Sequence, residues 1–179
     1  MKLGTKSILF GAHQFIIHPI CVFFAWWKLY GFPSDPRLWI AFVIHDWGYW
    51  ECPNMDGEEG ELHPWWAAEK MGYWFGQKWH EFCLYHSRFL AKRHGVGFSR
   101  LCVADKMSMW IEPPWLYLPR VMLSGEIKEY MGHAHIRHKK EGISTETRTL
   151  WFTSVRKFGR YWAYRHRDLR PDETTKLPD

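Results

Sequence analysis

At 179 residues, with 46% apolar and 24% charged side chains, the chain is long enough to enclose one hydrophobic core and too apolar to remain disordered, so a single domain is expected. A formal net charge of +5 favours an anionic partner, whether nucleotide, nucleic acid or lipid surface, without choosing among them. Cys21, Cys52, Cys83 and Cys102 form no CxxC pair, which argues against a zinc ribbon, a thioredoxin-type motif or a dense disulfide framework and fits a reducing, cytoplasmic setting.

In chain order, "SILFGAHQFIIHPICVFFAWWKLYGF" is apolar enough to raise the question of a membrane span. His13, Gln14, His18 and Pro19 lie inside it, so we expect buried core helices and no span. The helical stretch from Lys6 to Tyr30 is expected to kink or restart at Pro19. "GFPSDP" breaks the chain, and Ser34 or Asp35 caps a helix with Pro36 in its first turn. That helix, "RLWIAFVIHDWGYW", carries His45 and Asp46 near its C-terminal end. An acidic loop from Cys52 to Leu62 follows, without calcium-loop spacing and read as a solvated cover, and His63-Pro64 opens the next helix. A helix from Lys78 to His94 would place Tyr85, His86, Phe89 and Arg93 on one broad face. Ser99 would cap "RLCVADKMSMWI", which brings Asp105 into a mostly apolar sequence. "EPPWLYLP" reads as a rigid extended or turn segment, followed by a helix over Val121 to Met131.

The last helical run, Glu146 to His166, is amphipathic and basic. It is expected to pack Trp151, Phe152, Val155, Phe158 and Trp162 against the core with its charges in water. Residues 170 to 179 read as a loose tail. No run alternates like a strand, so the fold class is all-α, a helical bundle. Residues 1–135 would form the main domain, with the basic helix and tail of 136–179 packed on it.

His18, His45, Asp46, His63, His86 and Asp105 lie at helical positions or helix starts among apolar neighbours, where an unpaired polar group is costly. One such histidine alone is an ordinary satisfied core residue; the ordered set is the signal. Imidazole and carboxylate suit Fe, Mn, Co, Ni or Zn, and a carboxylate can bridge two ions where imidazole cannot. Asp46 is the natural bridge.

The series His, His-Asp, His, His, Asp on successive helical segments resembles the HD-domain superfamily of metal-dependent phosphohydrolases, in its two-metal form. "HPICVFFAWWKLYG", "IHDWG", "LHPWWAAE", "LYHSRFLAKRHG" and "LCVADKMSMWIEPPWLYLPR" are similar to its successive motifs over about residues 10 to 120. The resemblance implies an HD-like bundle with two divalent transition metal ions. His18, His45, Asp46 and Asp105 would hold one ion, and Asp46, His63 and His86 the other. A hydroxide bridging the two would attack a small phosphorylated substrate such as a nucleotide. Some single-metal nucleotidases of the superfamily have Glu where this chain has Tyr49, so that branch is disfavoured. Arg93 and Lys106 are the expected cations for substrate phosphate, ahead of Arg88 and Arg120. Trp110, Trp115 and Tyr117 could stack on a base, though such aromatics are more often core. The same ligands are also compatible with an HD-type di-iron oxygenase. A non-catalytic scaffold binding nucleotide or nucleic acid through residues 137 to 179 is the third reading.

Overall fold

The computed structural model describes residues 1–55, 57–137, 142–172 and 175, with side chains described outside 133–137. The fold is all-α, and no strand occurs among the described residues. The helices are α1 (Leu3–Phe10), α2 (Ile17–Tyr30), α3 (Pro36–Ile44), α4 (Glu58–Glu61), α5 (Pro64–Phe75), α6 (Gln77–Leu84), α7 (Arg88–Arg93), α8 (Arg100–Ile111), α9 (Pro114–Ser124), α10 (Glu126–Arg137) and α11 (Arg148–His166), with a 3-10 turn at Trp47–Tyr49. None of them is long and apolar enough to cross a membrane.

Local chemistry explains most boundaries. Asp35 accepts a hydrogen bond from Arg37 N and caps α3, with Pro36 in the first turn, as Thr147 caps α11 through Leu150 N; each cap is worth about 1 kcal/mol. The N-terminal helix breaks at residues 11–16 rather than at Pro19. Pro19 falls in the first turn of α2, where its missing N–H costs nothing. The break is held by the fully buried Glu126, which accepts from Ala12 N at 2.9 Å and from Ser7 Oγ at 2.5 Å.

Three further segments differ from the sequence reading. The expected helix over 78–94 is two helices, because Tyr85 leaves helical geometry and Ser87 caps α7 through Leu90 N. The "EPPWLYLP" segment is helical, since Pro114 sits in the first turn of α9, where proline is tolerated. The expected helix over 121–131 is interrupted at Gly125, whose φ of 93° ends α9 before α10 begins. Of the tail, residues 173, 174 and 176–179 lie outside the described residues. Asp172 and Thr175 are tied to Arg88 at 2.6 and 2.7 Å.

The main core joins α2, α3, α5, α6, α7 and α8 through fully buried Val22, Ala25, Ala41, Met71, Leu101 and Met107. Small residues at Val22 and Ala25 let α2 lie along α8. A second cluster forms where α11 meets α9 and α10, with Tyr117 stacked on Phe152 at 4.1 Å. Phe158 packs against both clusters. As expected from its pattern, α11 buries Trp151, Phe152 and Trp162. Its charges are not all in water: Arg156 donates to Met109 O and Trp110 O, closing the C-terminal turn of α8. Arg160 lies 4.5 Å from the Trp110 ring. The four cysteines are free and buried.

Candidate metal centre

Five segments converge on one buried point. α2 supplies His18, the end of α3 supplies His45 and Asp46, the start of α5 supplies His63, the α6–α7 break supplies His86, and α8 supplies Asp105. The α6–α7 break turns the His86 ring inward. Their donor atoms form two groups, His18, His45, Asp46 and Asp105, and Asp46, His63 and His86, each with its atoms within 4.8 Å of one another.

Asp46 belongs to both groups through different oxygens. Its Oδ2 lies 3.0 Å from His18 Nε2 and 3.2 Å from His45 Nε2. Its Oδ1 lies 3.4 Å from His63 Nε2 and 3.5 Å from His86 Nε2. Asp105 Oδ1 completes the first group, 3.1 Å from His18 Nε2. Ligands bound at about 2.1 Å and at right angles to one another lie about 3 Å apart, which is the scale of these separations.

The ring tautomers favour a cation. Nδ1 of His45, His63 and His86 faces the carbonyl oxygens of Phe42, Gly60 and Cys83 at 3.0, 2.6 and 2.6 Å. A carbonyl only accepts, so each Nδ1 carries the hydrogen and each Nε2 of a neutral ring presents a lone pair. The Nε2 atoms of His63 and His86 are 2.9 Å apart. Two lone pairs at that distance repel unless positive charge lies near both. Asp46 Oδ2 is buried and has no hydrogen bond, although two ring nitrogens stand within ion-pair range. An imidazole-carboxylate donor set with such an orphaned oxygen fits divalent transition ions.

Electrostatics separate the two groups. Burial pushes His18 and His45 down, but the carboxylates of Asp105 and Asp46 override it and raise them to about 9 and about 10. Despite burial, the same contacts hold Asp105 below the usual carboxylate range, and His45 and His13 hold Asp46 well below it. Burial dominates at His63 and lowers it to about 4. In the metal-free protein, the raised values of His18 and His45 give stability that is complete below about pH 6.5 and lost as pH rises through 9 and 10. Filling the first group near neutral pH must expel protons from His18 and His45, whereas His63 has none to lose. Metal affinity at the first group is therefore expected to rise steeply with pH, by up to about 100-fold per pH unit below 9. Titration calorimetry in buffers of different ionisation enthalpy reads this as proton release of one to two per ion for one site, with none from His63 at the other.

The centre opens into a cavity of about 430 Å³ whose walls include Tyr117, Trp151 and Phe158. Lys106 lines it and makes no hydrogen bond or ion pair among the described residues; burial, and then Arg88, lower its pKa. Arg93 is not on this wall. It is half exposed, 4.0 Å from Glu58, because the new cap at Ser87 resets the helical phase after His86. Arg88 takes its place on the lining, held by Asp172 and lying 4.9 Å from the Trp162 ring. Arg120 is engaged by Glu112. Of the three aromatics offered as stacking partners, Tyr117 lines the cavity, while Trp115 is exposed and Trp110 lies beneath Arg156 and Arg160.

Sequence reasoning missed His13 and the positive role of Tyr49. Tyr49 stacks on His63 at 3.9 Å and meets His13 at 4.8 Å, so it fixes the plane of a ring in the second candidate group. Its place three residues after Asp46, one 3-10 turn on, was the available signal. Glu61 of the acidic segment also lines the cavity, and Asp56 lies outside the described residues. No family model, no curated protein and no solved structure matches the chain.

Proposed function

We propose that this protein is an HD-type phosphohydrolase that uses two divalent transition metal ions to cleave a small phosphate ester or nucleotide. The observation that carries the reading is the division of Asp46, one oxygen toward His18 and His45 and the other toward His63 and His86. When bound, two such ions supply an activated water and neutralise phosphoryl charge. The chain's own residues do the rest. The backbone carbonyls hold the histidine rings in one tautomer, and Tyr49 fixes the plane of His63. Lys106, the cavity-lining lysine beside Asp105, holds a phosphate oxygen, and the aromatic walls exclude bulk water.

The test is metal analysis of purified protein with hydrolysis of a generic phosphoester under nitrogen. The expected result is about two equivalents of metal and turnover without dioxygen. Undiminished activity after complete metal removal overturns the proposal, and strict dependence on dioxygen replaces it with the oxygenase reading. Lys106→Met is expected to lower kcat/KM by about 10- to 100-fold, the worth of one charge-assisted hydrogen bond, with metal content unchanged.

A further inference from the structure

We propose that the outer face of the α2–α3 hairpin is the contact surface of a homodimer. The two helices run antiparallel. His18 of α2 meets His45 at the end of α3, and Phe23 meets Trp39 near the other end, with ring centroids 4.9 Å apart. This register sets Ile20 beside Val43. The inner faces carry the metal ligands, Val22 and Ala25, and Ala41 and Phe42, all buried. The outer faces carry Ile20, Phe24 and Trp27 on α2 and Trp39 and Val43 on α3, extended by Trp47 of the 3-10 turn. Ring contacts among Phe24, Trp27, Phe32 and Trp39 make much of it continuous.

These side chains, with Ile16 at one end and Phe32 at the other, are each between 41% and 56% exposed. Full aromatic side chains cover about 150–250 Å², so the face leaves roughly 800 Å² of apolar surface in water. The largest patch on a typical monomer is about 300–600 Å². A stable two-chain interface takes about 800 Å² from each partner. The area therefore fits one further chain surface.

Charge selects the second copy as that surface. No Asp, Glu, Lys or Arg occurs from Ser7 to Trp27 or from Leu38 to His45, in a chain of net charge +5. A two-fold contact sets the same patch of both copies face to face, so a charge-free face avoids the like-charge repulsion that a basic surface would meet. A lipid-surface helix instead sets Lys and Arg beside its apolar stripe. Here a single lysine, Lys28, borders the stripe on α2, and the flanking Asp35 and Arg37 are paired with each other at 2.7 Å. The dimer places the ligand-bearing hairpins back to back, with one metal centre on the far side of each.

Sedimentation equilibrium of the full chain at micromolar concentration tests this. The expected mass is twice the 21.6 kDa of one chain. Ile20→Lys combined with Val43→Lys is expected to raise the dimer dissociation constant at least about 100-fold with helical circular dichroism unchanged. Trp115→Lys, at an exposed aromatic on α9, leaves the dimer intact. A monomeric wild type, a double variant that stays dimeric, or equal dissociation by Trp115→Lys overturns the proposal. So does a wild type that is monomeric and floats with phosphatidylcholine vesicles. Should the double variant not fold, Ile20→Lys and Val43→Lys are read singly by the same sedimentation: a dimer dissociation constant raised about 10-fold or more by either supports the contact, and an unchanged dimer in both overturns it.

Discussion

Asp46→Ala is expected to empty both metal positions and to lower phosphoester hydrolysis by on the order of 1,000-fold or more. The reason is the division of its two oxygens between two histidine pairs. His63→Ala removes a ligand from the second group alone, so it is expected to leave about one equivalent of metal on His18, His45, Asp46 and Asp105. Asp46→Asn keeps the volume but replaces one acceptor oxygen with an NH2 donor, and should weaken metal at both positions. Metal analysis across the three variants measures the difference between a shared ligand and an unshared one. A full pair of ions retained by Asp46→Ala would contradict both the bridge and the proposed activity. Some destabilisation accompanies Asp46→Ala, because His18 and His45 lose one of the two carboxylates, Asp105 and Asp46, that raise them. Asp46→Asn and His63→Ala, read by thermal melting, separate that effect from metal loss.

Gly48→Ala is expected to destabilise the fold by about 3 kcal/mol and to lose metal from the second group. A Cβ at this position would stand 1.9 Å from His63 O and 2.7 Å from His63 C. The obstacle is space, since backbone rather than a flexible side chain occupies it. Either the 3-10 turn moves, carrying Asp46 and Tyr49, or the start of α5 moves, carrying His63. Both routes separate Asp46 Oδ1 from His63 Nε2. For a chain of this size, about 3 kcal/mol corresponds to a fall of about 10 °C in Tm. A melt within a degree or two of wild type, with both ions retained, would show that the turn has room.

The residues of the two candidate metal groups were legible because the sequence around them is apolar. A histidine between Ile17 and Pro19, or an aspartate after "LCVA", stands among apolar neighbours, so its need for a partner follows from those neighbours alone. Helix starts with a side-chain acceptor were legible too, as at Asp35. Arg93 was placed wrongly because a spacing argument assumes an unbroken helix, and Ser87 interrupts it two residues before the decisive turn. α9 was misread because a proline pair signals either a rigid turn or a first helical turn. Only the burial of Tyr117 and Val121 against α11 chooses the helix. The tie between buried Glu126 and the residues around Gly11 spans more than a hundred positions, and no local pattern announces a contact of that range.

Three of the histidines close the ends of the segments that precede them. The carbonyls of Phe42, Gly60 and Cys83 lie in last turns, and the ring three residues on donates to each; Gly60 O and Cys83 O also accept the backbone N–H of His63 and His86. Ring orientation is thus settled when the chain folds, before any ion arrives. An ion entering such a pre-set group of nitrogen and oxygen donors would order little, so on the proposed reading exchange of one metal for another would require no refolding. The group has few means of refusing a competing ion of similar size. On the proposed reading its occupancy would follow the relative supply and intrinsic affinity of the metals around it.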